Sequence, residues 1–441
     1  MEKVKRIKVM LLCAGMIFSG AGLIAGDDKS CIINDKCPVE CCKEDPCWCE
    51  IFDKSTLYKN EENCLIQSVQ LVGRYHGQYQ SSSLEHSSGR SLGTQYWEHR
   101  RLRLGTRVQF LNDFTFFNNW NLGNDNNDGA RIAGDFWGSI YEMYIKWDPS
   151  DSDIGLWVSV GKQEQKITRE FSTSSKKILT FERSQITNEV ADTAAWGVET
   201  GFEALGIEHA FGLWLGGYDN DADGRGPRAP GFDGARGGAS YRGAYGITEA
   251  TDLHFDYFYT NNSDGTRNPR GRADEDALPN YNHIFALGTE SSWDIGCCDR
   301  KYGLVTDLIW GIDREASGGN SLGIAGGNNA TLAGQDTFGI VILPHYDLTE
   351  RLELVGKYAY ASNTVLQRGQ RRAFDHNGVG RPNLEDVHTF YAGFNYRLCG
   401  DNFKLMGGYE YLTADLHENA GSTDLGDLSG DTWMLGVRTY W

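Results

Sequence analysis

Past residue 24 the chain has no apolar run of helix-spanning length, so a helical membrane protein is excluded. Positive charge is outnumbered: 42 Lys and Arg stand against 60 Asp and Glu, a formal charge of −18, which argues against nucleic acid as a partner. Cysteine is nearly missing from the body of the chain, where only Cys297, Cys298 and Cys399 follow Cys64. Proline is scarce, at 9 residues. Catalytic patterns are also lacking. The paired acids Asp151 and Asp153 sit in a short turn, the histidines are scattered, and no Gly-x-Ser-x-Gly element precedes a helix, so no enzyme is expected. Gly318-Gly319 and Gly326-Gly327 lack the strand-to-helix context of a phosphate cradle, and no cofactor is expected. A mean hydropathy of −0.46 does not exclude a membrane barrel, because half of each strand faces water and the loops are polar.

What the chain does have is one repeated theme. From residue 66 an alternating segment of about ten residues is followed by a turn, again and again. The expected strands are 66–78, 94–110, 113–122, 137–147, 155–163, 195–204, 207–218, 236–247, 251–260, 281–292, 302–313, 335–346, 350–362, 386–398, 402–412 and 431–441. The connections between them alternate between long and short. That is the layout of an all-β, transmembrane antiparallel barrel of about sixteen strands, with short periplasmic turns and long outer loops. The last segment ends on an aromatic residue, with Trp433, Leu435, Val437, Thr439 and Trp441 on one face, as a lipid-facing closing strand would have.

The start of the chain agrees. Lys3, Lys5, Arg6 and Lys8 precede an apolar, small-residue stretch from Val9 to Ile24, so residues 1–26 read as a signal peptide and the protein as exported to an outer membrane. Residues 27–65 form a Cys-rich extension expected on the periplasmic side, and residues 66–441 the barrel. Cys31, Cys37, Cys41, Cys42, Cys47, Cys49 and Cys64 crowd the extension. In an oxidising compartment disulfides are the default, and Cys297, Cys298 and Cys399 should lie on the same side. A metal knot is the rival reading, but the spacing matches no paired C-x-x-C pattern, so no metal is assigned. Asp219-Asn220-Asp221-Ala222-Asp223-Gly224 opens like a calcium loop, yet its twelfth position is Pro230, so a solvated acidic loop is expected.

Strand faces can be assigned by alternation. In 94–110, Tyr96, Leu102, Leu104, Val108 and Phe110 are expected toward lipid, with Arg100 near a rim. Trp97, His99, Arg101, Arg103, Arg107 and Gln109 are expected toward the lumen. In 350–362, Leu352, Leu354, Tyr358 and Tyr360 go out, while Glu353 and Lys357 go in. In 402–412, Phe403, Leu405, Tyr409 and Tyr411 go out, while Lys404 and Glu410 go in.

Several stretches resemble the phosphate-selective porin O and P family. These are Val160-Gly161-Lys162-Gln163 at a strand end, the Ser- and Thr-rich loop after it, and then Leu179-Thr180-Phe181-Glu182-Arg183-Ser184. The stretch from Tyr96 to Gly105 and the last three strands are similar to that family as well, so the resemblance runs from about residue 66 to 441. It implies a sixteen-stranded trimeric channel for anions, phosphate or similar, whose third loop, 164–194, folds into the pore. Where the family has a Pro-Phe element in that loop, this chain has Arg169-Glu170-Phe171.

The expected site follows. Arg101, Arg103 and Arg107 alternate along one strand face as a column of fixed positive charge, and Lys162, Lys166, Arg169, Lys176 and Lys177 would add to it from the loop region. Glu182 and Arg183 are read as anchors that pin the loop to the wall. The expected partners are small anionic solutes, the lipid bilayer, lipopolysaccharide and two further copies of the chain. Two other readings share these features. One is a structural envelope protein cross-linked through its cysteines, and the other is an export channel for an acidic polysaccharide.

Overall fold

The computed structural model describes residues 47–87, 89, 91–123, 140–191, 194–215, 237–261, 279, 281–295, 300–314, 334–366, 373, 383–417 and 426–441. The expected signal peptide, residues 27–46 of the extension, the calcium-like turn Asp219–Gly224, Gly318-Gly319, Gly326-Gly327, Cys297 and Cys298 lie outside the described residues.

Seventeen strands are seen: β1 (Thr56–Lys59), β2 (Ile66–His86), β3 (Ser91–Phe110), β4 (Phe114–Gly123), β5 (Ile140–Trp147), β6 (Trp157–Glu164), β7 (Ala194–Ala204), β8 (Ile207–Leu215), β9 (Gly237–Thr248), β10 (Thr251–Thr260), β11 (Tyr281–Asp294), β12 (Lys301–Arg314), β13 (Thr337–Asp347), β14 (Leu352–Val365), β15 (Asn383–Cys399), β16 (Phe403–Leu416) and β17 (Leu428–Tyr440). Successive strands from β2 to β17 pair antiparallel, and β17 returns to β2, from Tyr440 opposite Arg74 to Leu428 opposite His86. The result is a closed sixteen-strand barrel with one extra strand. All sixteen barrel strands fall where the alternation puts them. The largest difference is β2, which runs on to His86. No helix among the described residues is long and apolar enough to cross a membrane. The backbone polar groups are instead satisfied strand to strand.

The extra strand covers an edge. At its lower end β2 extends past β17: Trp441 exchanges backbone hydrogen bonds of 3.1 and 3.2 Å with Gly73, and there β17 stops. β1 takes over the edge below, with Thr56 opposite Gln70 and Lys59 opposite Ser68. This leaves fewer unpaired groups at the seam. Just upstream, a 3-10 turn (Cys47–Ser55) carries Cys49, which is disulfide-bonded to Cys399 at the end of β15. Cys64, expected to be oxidised with the others, is a free and exposed thiol.

Alternation holds on most faces. Trp433 and Leu435 are exposed on the outside of β17, while Thr432, Met434 and Arg438 are buried inside. Strand β3 is the exception. Its register with β2 jumps from His76–Arg101 to Gly77–His99, so Arg100 is an inserted residue. A bulge of this kind lets two successive side chains point the same way, and Arg100 and Arg101 are both buried inside. Above the bulge the faces swap. Trp97 (52% exposed) and His99 face out, Glu98 faces in, and the Tyr96 hydroxyl donates to the inward Gln80 at 2.8 Å. The expected faces of Tyr96, Trp97, His99 and Arg100 are therefore corrected. Period-two reading assumes an unbroken ladder and cannot see an inserted residue.

Candidate functional site

The longest described connection joins β6 to β7. It carries two short helices, α1 (Arg169–Ser172) and α2 (Gln185–Val190). Each begins on a hydroxyl cap. The Thr168 side chain accepts the N–H of Phe171 at 3.1 Å, and Ser184 Oγ accepts that of Thr187 at 3.3 Å. The Glu170 carboxylate joins the two, accepting from Ser184 N at 3.0 Å and Ser184 Oγ at 2.6 Å. Arg183 closes the loop on itself. It donates to the backbone oxygens of Glu170, Phe171 and Thr173 at 3.3, 3.2 and 2.9 Å, and its guanidinium lies 4.5 Å from the Phe171 ring centre. Arg183 thus organises the loop internally and does not pin it to the wall as expected.

The loop is seated on inward faces of the barrel along one arc. Four side chains from consecutive strands donate to its backbone oxygens: Lys357 of β14 to Glu182 (2.9 Å), Asn395 of β15 to Leu179 (3.1 Å), Lys404 of β16 to Ile178 (3.0 Å) and Arg438 of β17 to Phe181 (2.6 Å). All four are buried. Charged donors to carbonyls out of bulk water make stronger bonds than neutral ones. Next on the arc, Arg100 of β3 holds the Glu182 carboxylate with two bonds, and Arg74 of β2 bonds Ser175. Phe181 enters an apolar cluster with Val305, Leu343, Val355, Tyr391, Met406 and Met434.

The far end of the loop is held by acids. Asp307 of β12 accepts the N–H groups of Arg169 and Glu170 at 2.8 Å each, at the start of α1, and the Arg169 side chain pairs with Glu290 of β11. Glu189 of α2 pairs with Arg314 at 2.6 Å and accepts from Thr364 at 2.9 Å. Three inward glycines make room for this seating. A Cβ on Gly436 would lie 2.7 Å from the Phe181 ring, one on Gly339 2.4 Å from Ile186, and one on Gly288 3.0 Å from Arg169 Cβ. Sequence reading missed these glycines, although a glycine on an inward strand position is itself a signal of close approach.

The expected residues do not form one set. Arg101 and Arg103 face inward but are buried. Arg101 approaches His76 at 3.3 Å, while Arg103 bonds Asn121 at 2.8 Å and stacks 3.3 Å from the Tyr141 ring centre. Arg107, Lys166 and Lys177 are exposed, and Lys176 is half-buried, 4.9 Å from the Tyr440 ring centre. Lys162 is displaced from the expected set. It stands opposite Met143 and Trp196 on the face of Val160 and Val198, which is the outer one. Val158 and Val160, before it on the same strand face, already carried that signal. Glu182, finally, is in contact with the wall through Arg100.

Electrostatics in the loop follow from this packing. Burial lowers the Lys176 ammonium to about 8, helped by Arg74 and Arg107. Lys166, although its side chain keeps contact with solvent, is also lowered, by desolvation among the surrounding loop and wall groups and then by Arg242. Opposite the loop, the arc from β4 to β10 is the wetter one. There Glu142, Tyr144, Lys146, Arg242 and His254 are half-buried and Asp252 is exposed. Among the described residues no cluster of His, Cys, Asp or Glu is arranged to hold a metal ion.

The outer membrane channel DcaP of Acinetobacter baumannii superposes with a TM-score of 0.51 at 12% identity, over 87% of this chain and 100% of that one. An anion-selective porin from Comamonas acidovorans gives 0.49 at 12% identity, over 85% and 99%. OmpT of Vibrio cholerae gives 0.43 at 12%, over 85% and 97%. Comparison with curated protein sequences finds no significant match. The family model for phosphate-selective porin O and P matches residues 69–311. That match takes in β2 through most of β12 and the whole loop between β6 and β7, so this outer-membrane channel belongs to the phosphate-selective porin O and P family.

Proposed function

We propose that the protein is a passive channel for small anionic solutes, phosphate or similar, in which loop 164–194 narrows the lumen and sets the local charge. The observation that supports it is the loop's seating. Anchored by buried contacts from β2, β3, β12 and β14 to β17 and by a more open ion pair from β11, it leaves Lys166 and Lys177 exposed and Lys176 half-buried, with Arg107 of β3 exposed as well. Confined water screens these charges poorly compared with bulk, so a few of them outweigh many acids in outer loops. Family membership points the same way, and it also carries the proposal of three-fold assembly. No covalent step or cofactor enters this reading.

The cross-linked envelope reading is weakened by the Cys49–Cys399 disulfide, which joins residues of one chain and removes both thiols from links between chains. The deciding measurement is the reversal potential of single channels in a salt gradient across a planar bilayer. An anion-selective sign is expected. A cation-selective sign at low salt would reject the anion claim while leaving the channel.

A further inference from the structure

Four tyrosine–histidine pairs stand on the outer face of the barrel, and three of them, set far from the short turns, have no use in the channel reading. The hydroxyls of Tyr75, Tyr257 and Tyr358 meet Nδ1 of His99, His283 and His388 at 2.9, 2.9 and 3.0 Å, each across one strand boundary. Two of them are built identically. Tyr257 is opposite Phe285 and Tyr259 opposite His283, just as Tyr358 is opposite Phe390 and Tyr360 opposite His388. The ring spacings repeat too, 4.8 and 5.2 Å for Tyr–Phe and 5.3 and 5.0 Å for the second Tyr–His. These residues alternate with the buried, inward Asp256, Phe258, Ile284, Ala359, Val387 and Thr389, so they face away from the lumen.

Their height is similar, with the inserted Arg100 taking up one position on β3. His99 stands eleven positions before Phe110, His283 eleven before Asp294 and His388 eleven before Cys399, the short-turn ends of β3, β11 and β15. At about 3.3 Å per residue and a tilt near 40°, that is roughly 28 Å above the periplasmic rim, the upper edge of an apolar band about 25 Å tall. They are also spread around the barrel, on β2/β3, β10/β11 and β14/β15. A protein partner, a neighbouring copy included, covers one arc and cannot account for sites spread over three, whereas lipid meets the remaining arcs.

We propose that these pairs dock the phosphate groups of a phosphorylated glycolipid in the outer leaflet. The inference rests on the outer-membrane placement and not on the solute. With the tyrosine hydroxyl donating to Nδ1, the ring hydrogen sits on Nε2, so a fixed N–H donor is available at the level of the headgroups. The tyrosine is a positioning residue that sets the ring plane. The site at His388 is the weakest of the three, because the Tyr360 hydroxyl is bonded to the Asp386 carboxylate beside it, which repels phosphate.

The test uses the full-length protein in nanodiscs with diphosphoryl lipid A or the same lipid stripped of phosphate, reading retained glycolipid by native mass spectrometry. Wild type is expected to retain the diphosphoryl form about fivefold better. H99N/H283N/H388N should lose that preference, and Y75F/Y257F/Y358F should lose part of it. H209N should keep it, because His209, held by Tyr241 at 3.0 Å, lies only two positions from the start of β8. Folding is followed by heat-modifiable gel mobility. Equal retention of both lipids by wild type, which needs no variant, overturns the proposal. So does a folded triple histidine variant that keeps the preference, or one that changes only the oligomeric state.

Discussion

The two sides of the lumen treat charge in opposite ways. On the arc from β14 through β17 to β3, Lys357, Lys404, Arg438, Arg100 and Arg101 are buried, Lys404 to 1% and Arg438 to 2% exposure, and most of them donate to the loop. On the arc from β4 to β10, Lys146, Arg242 and Glu142 keep part of their surface open, and the nearby Arg107 is exposed. The same residue types, read from the same alternation, serve as fasteners on one side and as fixed charge beside water on the other. An inward-facing cation therefore tells nothing about ion guidance until the loop is placed. A charge buried against a carbonyl is solvated by that dipole and held away from the water, while one beside confined water sets the potential there.

Breaking a fastener should give the largest effect. Glu182→Ala leaves Arg100 buried without its carboxylate, which costs roughly 3–5 kcal/mol of loop docking. Single-channel records are expected to show higher conductance and more fluctuation, with the barrel still folded by gel mobility. Unchanged records would mean that the carbonyl clamps hold the loop without Arg100. Next in size, Gly436→Val places its first side-chain carbon against Phe181 and should cost about 1–3 kcal/mol of seating. Gly356→Ala, whose Cβ would sit an ordinary 3.4 Å from Pro344, is the control. Equal melting temperatures and conductances for the two variants would show that Phe181 gives way freely.

How much of this contrast was legible in the sequence depends on which interaction carried it. Strand positions were legible because closure, lipid and water impose one periodicity, and Leu352 through Tyr360 or Phe403 through Tyr411 obey it. The bulge at Arg100 was not, since it is a register event between β2 and β3 with no composition of its own. The fasteners were half legible: Lys357 and Lys404 were placed inward, but their partners are backbone oxygens 175 and 226 residues away in sequence. A backbone oxygen leaves no trace in residue identity. Arg101 and Arg103 were read as a charged column, and the packing of Tyr141, Asn121 and His76 around them is a tertiary fact.

The selectivity experiment divides along the same line. Arg107→Gln with Lys176→Gln removes charge beside water, and each removal should shift the ion barrier by on the order of 1 kcal/mol, about fivefold in permeability ratio. Arg101→Gln with Arg103→Gln removes buried charge and should change the ratio less while lowering thermal stability more. If the buried pair moves the reversal potential as much as the exposed pair, the division between the two arcs is wrong for these residues.

The smallest effect is the dependence on pH, and it isolates one group. Lys176 lies in the loop and outside the spanning strands, and burial beside Arg74 and Arg107 brings its ammonium down to about 8. Below that value it is charged and adds to the local positive potential. As the pH rises through it the proton leaves and the charge is lost. Anion preference should therefore be nearly flat from pH 6 to 7 and fall between pH 7 and 9, by at most the single-charge increment of about 1 kcal/mol. Lys176→Met should give the lower preference at every pH and a flat profile, while Lys176→Arg should give the higher one, also flat. A wild-type profile that falls unchanged in Lys176→Met would assign the titration to another group and remove Lys176 from the set that faces the solute.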